Sequence, residues 1–315
     1  MKYGEIAMKI LKTDKRLIDE GNRYKIEGDL ISEESLDLTD LDKGLYVTGS
    51  IKARESIKAV WYIEAGGYIK AVWSIEAGWS IKSGRSIESG GFIKAGGFIE
   101  AGESIKAGGV IEAGWSIKSG RSIESGGSIK AGGFIEAGES IKAGGVIEAV
   151  WYIKAGEVIE AVWSIKAGEV IKSGRYIKAG EVIKAGGSIE SGGSIEAVWY
   201  IKAGEVIKSG RFIKAGESHG ITAGLSITAK TSITAGLKIF AGVCVWHKIT
   251  DAEKTITCTE LLGGATVEYG ILNIVEEEVL FKAGQLASGE YMNSTEREII
   301  TLNGKKYQLI GGEDE

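Results

Sequence analysis

The chain has 315 residues, 38 Lys and Arg against 43 Asp and Glu for a net charge of −5, 48 Gly, no Pro and two Cys. Two cysteines exclude a disulfide framework. No apolar run approaches the length of a membrane span and no signal-peptide core opens the chain, so a cytoplasmic protein without membrane contact is expected. The charge is uneven: residues 1–44 carry 8 basic against 11 acidic side chains, residues 218–315 carry 8 against 13, and the middle is left near +3. That excludes the clustered basic surface nucleic-acid binding needs, and equally the continuous acidic surface of a DNA mimic.

At the start of the chain, Ile6, Ile10, Leu11, Leu17 and Ile18 form a loose apolar face among many charges, with Gly21 as a stop. The spacing predicts a helix over residues 1–22. Tyr24 to Leu45 carries short strand-like runs between acidic turns. With the helix it makes an N-terminal cap over residues 1–44, since the first coil of a repeat array exposes an unpaired edge.

From Ile51 to Ile213 twenty-eight six-residue units follow without a gap, each opening on Ile, and Leu45 extends the register back by one. Position 2 is Lys or Glu, position 3 Ala or Ser, and position 4 Gly or Val, with Arg54 the exception. Position 5 is Gly, Glu, Trp or Arg, and position 6 Ser, Val, Phe or Tyr. Apolar, charged, small is the alternation of a short strand. Glycine then supplies backbone freedom for a corner. A period of six cannot hold Ile on one helical face, whereas exact short repetition marks a β-solenoid.

Two features set three units per coil. Position 2 alternates Lys and Glu from Lys58 to Lys166. Stacking at eighteen residues therefore sets Lys82 beside Glu100 and Glu100 beside Lys118, whereas a twelve-residue coil would stack like on like. Position 5 also sorts by eighteen: Arg85, Arg121, Arg175 and Arg211 share one corner with Glu103, Glu139 and Glu157, and every Trp of the array falls in the other two. The expected fold is all-β, a triangular parallel β-solenoid spanning 45–247. Its core of Ile and Ala/Ser leaves no room for a ligand. After Glu160 the alternation weakens: Lys166, Lys184 and Lys202 stack, with Glu169, Glu181 and Glu205 at adjoining corners to neutralise them.

At 218–220 the register slips, since Ile213 to Ile221 is eight residues. Five more units follow at Ile221, Ile227, Ile233, Ile239 and Val245. Thr222, Thr228 and Thr234 at position 2 fall on three different faces, which excludes a flat ice-binding array. Beyond Trp246 the period ends. Residues 248–315 read as a small β-rich C-terminal cap, with a hairpin signal at Ile299–Leu302, Asn303-Gly304 and Lys305–Ile310.

Among candidate sites the array tryptophans stand first. Trp61, Trp79, Trp115 and Trp151 share one corner column and Trp73, Trp163 and Trp199 another. Aromatic edges on a rod suit docking of a partner. The competing reading is packing: in the first column the order is Trp79, Gly97, Trp115, Gly133, Trp151, so each large ring has a glycine to lie over. Val precedes Trp at Val60, Val72, Val150, Val162 and Val198, suggesting a second corner type. For catalysis His219 and His247 are the only histidines. Cys244, His247 and Cys258 make an incomplete zinc set, and no glycine loop is followed by a helix as phosphate binding requires. No enzyme, cofactor, metal or small-molecule substrate is expected.

The Ile-x-Ala-Gly units, in stretches such as Gly97–Gly109 and Gly127–Gly145, resemble the polymer-forming core of the bactofilins, bacterial cytoskeletal proteins, over about residues 45–217. That resemblance implies a triangular solenoid and end-to-end assembly. A second, to hexapeptide acyltransferases, implies a histidine between coils and a long excursion loop; here the excursion at His219 is two residues. The reading that follows is a non-enzymatic rigid scaffold or protein-interaction rod of bacterial or phage type, whose partner is another protein or itself. The alternatives are a bactofilin-like self-assembling structural protein and a protein inhibitor of a host enzyme.

Overall fold

Isoleucine stacks on isoleucine at a spacing of eighteen throughout the array. The computed structural model describes residues 7–216, 219–243, 249–275, 281–282, 299–302 and 305–310. In it Ile75 pairs with Ile57 and Ile93, Ile81 with Ile63 and Ile99, and Ile87 with Ile69 and Ile105, all in parallel. Three sheets of 14, 13 and 15 strands result, parallel except for the first pair of the 15-stranded sheet, one for each face of an all-β solenoid. The array isoleucines are fully buried, and position-3 Ala and Ser close the core beside them. Burying each Ile contributes on the order of 1.5–3 kcal/mol.

The charge ladder follows the same register. Lys70 faces Glu88 at 2.6 Å, Lys94 faces Glu112 at 3.5 Å and Lys172 faces Glu190 at 2.8 Å. In the charged corner Arg85 meets Glu103 at 3.3 Å, Arg121 meets Glu139 at 3.2 Å and Arg175 meets Glu157 at 3.5 Å. Each such exposed pair is worth only a fraction of a kcal/mol, but alternation also removes like-charge stacking. Where it fails, Lys166, Lys184 and Lys202 lie directly on one another. Of the corner carboxylates expected to neutralise them, Glu181 accepts from the Ser164 hydroxyl (3.1 Å) and Glu205 from Ser188 (3.2 Å).

The array corners use glycine for a reason the repeat alone does not reveal. None of the positive-φ glycines lies in the array corners. The demand is close approach: a Cβ at Gly114 would sit 2.0 Å from the carbonyl oxygen of Gly96 in the coil below, and Gly132 meets Gly114 in the same way. Serine at position 3 has an equally local cause. The Ser83 hydroxyl donates to the Gly67 carbonyl (2.6 Å) and accepts from the Arg85 amide (3.2 Å), tying its corner to the one beneath. Ser173 and Ser209 repeat the pattern.

At its N-terminal end the structure departs from the sequence reading. No helix forms in residues 7–22. Ala7–Lys9 is a strand pairing in parallel with Ser35–Asp37, and Ile18–Asp19 pairs antiparallel with Tyr24–Lys25. Of the apolar residues that read as a helix face, Ile10 is fully buried with its amide donating to the Asp37 carbonyl (3.0 Å), Leu17 packs against the core, Leu11 and Ile18 are exposed, and Ile6 lies outside the described residues. Residues 24–38 are solenoid in their own right. Leu30, Leu36 and Tyr24 stack under Ile51, Ile57 and Leu45 at a spacing of 21.

The slip at 218–220 is absorbed in one corner. Ile201, Ile207 and Ile213 stack under Ile221, Ile227 and Ile233, a coil of 20 residues with its faces unchanged. Thr222, Thr228 and Thr234 lie on three different sheets. Beyond Ile239 the place above Ile227 is taken by Ile256; Val245, the expected occupant, lies outside the described residues. Leu261 then stacks on Ile233, Val267 on Ile239 and Leu272 on Ile256, so residues 255–274 continue the three ladders past the last regular unit. In the last described coil Leu272 stacks on the buried Ile256 and is 40% exposed. Ile299–Leu302 and Lys305–Ile310 form the antiparallel hairpin, Leu302 opposite Lys305, and Phe281–Lys282 adds in parallel.

Two substitutions test this register by urea denaturation. Gly114→Ala forces a methyl against the Gly96 carbonyl and should cost about 1–3 kcal/mol; an unchanged midpoint would refute the close approach. Lys184→Glu restores alternation between Lys166 and Lys202 and should raise stability by about 0.2–1 kcal/mol, where a loss would contradict the stacking order.

Candidate functional site

The corners convert the repeat into straight rows, because a side chain at position 5 is followed eighteen residues later by another at the same corner. Amide-to-carbonyl bonds trace both aromatic columns. In the first, the Trp115 amide donates to Gly97 (2.9 Å) and the Trp151 amide to Gly133 (2.9 Å). In the second, Trp163 donates to Gly145 (3.3 Å) and Trp199 to Glu181 (2.9 Å). The structure thus brings Trp61, Trp79, Trp115 and Trp151 together along one edge and Trp73, Trp163 and Trp199 along another. The third edge carries the Arg–Glu pairs.

These rings face outward. Trp115 is 73% exposed and Trp79 62%, while the least exposed of the seven, Trp61, is at 37% and lies against Trp79 with ring centroids 6.0 Å apart. Packing over glycine is nonetheless real: a Cβ on Gly133 would come within 3.7 Å of the Trp151 ring. The position-6 aromatics support the first edge from behind, with Phe134 stacked on Tyr152 at 4.9 Å and 5° between planes. The valines that precede Trp are also exposed, Val150 at 58% and Val162 at 60%, so these corners present an apolar pair, Val and Trp together.

Between the edges, the faces are shallow grooves floored by position-3 alanine and position-4 glycine and walled by the Lys/Glu ladder. One of about 710 Å³ runs from Glu112 past Lys130 and Lys166 to Lys184, and another of about 660 Å³ from Lys106 to Lys178. A third, about 680 Å³, surrounds Lys178, Glu196, Trp199 and His219.

His219, singled out by its place at the slip, joins the second aromatic edge. Its ring stacks on Trp199 at 6.0 Å and 15°, and its carbonyl accepts from the Leu237 amide (3.1 Å). The extra two residues let His219 occupy the corner above Trp199, a placement the six-residue register hides. Cys258 is inside the core, 1% exposed; burial pushes its thiol pKa up, against hydrogen bonds from the Glu260 and Ile233 backbone. It packs as a small apolar side chain. Cys244, Trp246 and His247 lie outside the described residues.

Comparison with protein-family models, with characterised proteins and with solved structures gives no match. The likeness to bactofilins therefore rests on the repeat itself.

The exposure of the edges has a direct optical consequence. Iodide should quench most of the tryptophan emission of the folded chain, and Trp115→Ala should remove a strongly quenched fraction. Emission resistant to iodide would contradict outward-facing rings.

Proposed function

We propose that the chain is a non-enzymatic rigid rod that binds another protein along its aromatic edges. The observation that carries the reading is the pair of straight tryptophan columns held on a backbone lattice that has no freedom to rearrange. Seven indoles in register present contact area whose ordering cost was already met in folding, and Trp is the side chain most enriched at binding hot spots. The groove walls support the same reading, being the Lys, Glu, Ala and Gly of the repeat, a composition suited to shape rather than to bond-making chemistry. Among the described residues no helix is long and apolar enough to cross a membrane, and we place the rod in the cytoplasm of a bacterial or phage-infected cell.

A second reading, self-assembly end to end as in bactofilins, is favoured by one observation. The two ends differ: residues 7–22 cover the first coil, whereas Ile271, Leu272 and Ile274 stand exposed on the last described one. Two copies apposed through that apolar coil make an end-to-end dimer.

Light scattering on a size-exclusion column, with negative-stain images of the same peak, separates the two. The edge-binding reading expects a monodisperse short rod that retains one stoichiometric protein from source-cell lysate. It also expects that protein to be lost when Trp79, Trp115 and Trp151 are all replaced by Ala. Rods of double length, joined end to end, would overturn it in favour of assembly.

A further inference from the structure

The first edge has a period of its own. Trp79, Trp115 and Trp151 recur every 36 residues, two coils, and so do the residues between and beyond them, Gly97, Gly133 and Glu169. At about 4.8 Å per coil the repeat along the edge is ~9.6 Å. Between Trp115 and Trp151 the surface forms a slot of about 420 Å³, floored by Gly132 and Gly133 and walled by the two indoles and Phe134. A side chain at position 133 would intrude here, its Cβ 2.7 Å from the Trp115 carbonyl oxygen. Gly97 and Phe98 stand in the same relation to Trp79 and Trp115 two coils earlier.

A polyproline II helix makes one turn in three residues, a rise of ~9.3 Å, and docks through its proline rings into aromatic-walled grooves, its preformed shape keeping the entropic cost low. Its period meets that of the edge to within a few tenths of an ångström. The slot is lined mostly by carbon; the Ser116 hydroxyl and the two indole N–H groups are the polar side-chain groups among its lining residues. That suits a proline ring and offers the many hydroxyls of a sugar polymer few partners. One period beyond Gly133 stands Glu169, exposed, its amide bonded to the Trp151 carbonyl (2.7 Å). The neighbouring ion pairs, Glu136–Lys154, Glu157–Arg175 and Lys172–Glu190, leave its carboxylate out.

We propose that this edge binds an extended proline-rich segment of the partner protein. Two prolines three residues apart sit over Gly97 and Gly133 between the three indoles, and a Lys or Arg three residues further on faces Glu169. The proposal rests on the edge-binding reading and names the class of partner.

The test is fluorescence anisotropy of a labelled peptide of nine prolines ending in two arginines, titrated with the full chain. A peptide with the prolines replaced by alternating Gly and Ser is the control. Saturable binding of the proline peptide alone is expected. Trp115→Ala should weaken it on the order of tenfold or more, and Glu169→Gln should weaken it and flatten its salt dependence. Arg121→Gln, on the charged third edge, should leave it unchanged. Circular dichroism confirms that each variant is folded. Absence of saturable binding, equal binding of the Gly/Ser peptide, or equal damage from Arg121→Gln would overturn the proposal, as would binding of a β-1,4-glucan hexamer in place of the peptide. If the peptide fails while the triple tryptophan variant still loses the lysate partner, the proline assignment falls and the edge-binding reading stands.

Discussion

Each coil of this rod must offer the next a copy of its own backbone edge, and the parallel ladder between residues i and i+18 enforces that condition. It fixes which side chains touch. Isoleucine meets isoleucine in the core, lysine meets glutamate on the faces, and at most corners a position-4 glycine comes up against the carbonyl beneath it. Glycine recurs there because a Cβ would come 2.0 Å from that oxygen, well inside van der Waals contact, as at Gly114 over Gly96. The spacing that satisfies backbone hydrogen bonds also makes straight columns of whatever stands at position 5. A repeat under strong internal constraint therefore leaves one free variable, the corner side chain, and the tryptophans occupy it.

The legible part of the fold was the part governed by that ladder. Alternation of Lys and Glu separates eighteen from twelve residues per coil because only one spacing avoids like-charge stacking, and Lys82–Glu100 confirms it in the structure. The N-terminal residues were misread because Ile10, Leu17 and Ile18 satisfy a helical spacing by accident. Their partners are the first coil, reached through Asp37 and Tyr24, and a one-segment periodicity carries no information about such contacts. The last coil was missed for the opposite reason. Ile256, Leu261, Val267 and Leu272 keep the inward column but at spacings of five and six, after an excursion that breaks the count. The corner glycines were expected for conformational freedom; their cause is steric and belongs to the neighbouring coil.

At the candidate site the columns were legible and the depth was not. Register alone places Trp115 and Trp151 on one edge, but whether an indole folds down over Gly133 or stands away from it depends on packing along the corner. The structure has both: Trp151 lies against Gly133 while Trp115 remains largely exposed. His219 was visible as an anomaly of spacing, yet its stacking on Trp199 follows only once the coil is known to take up two extra residues without changing face. The same constraint ties function to fold. Because the lattice is rigid, the spacing between edge side chains is set by the coil rise, and any linear partner must match it.

The most direct test of the eighteen-residue ladder is a set of three excisions compared by urea denaturation. Removing residues 79–114 deletes two whole coils and rejoins Gly78 to Trp115 with every charge still opposite its complement. Removing 97–114 deletes one coil and sets like charge on like across the join, Lys82 on Lys118. Removing 97–108 deletes two-thirds of a coil, keeps Lys82 opposite Glu112 and moves the corner columns to other edges. The account predicts that the first variant unfolds cooperatively with little loss of midpoint, and that the 18-residue deletion is the weakest of the three. An 18-residue deletion more stable than the 12-residue and 36-residue ones would contradict the register on which the structure depends.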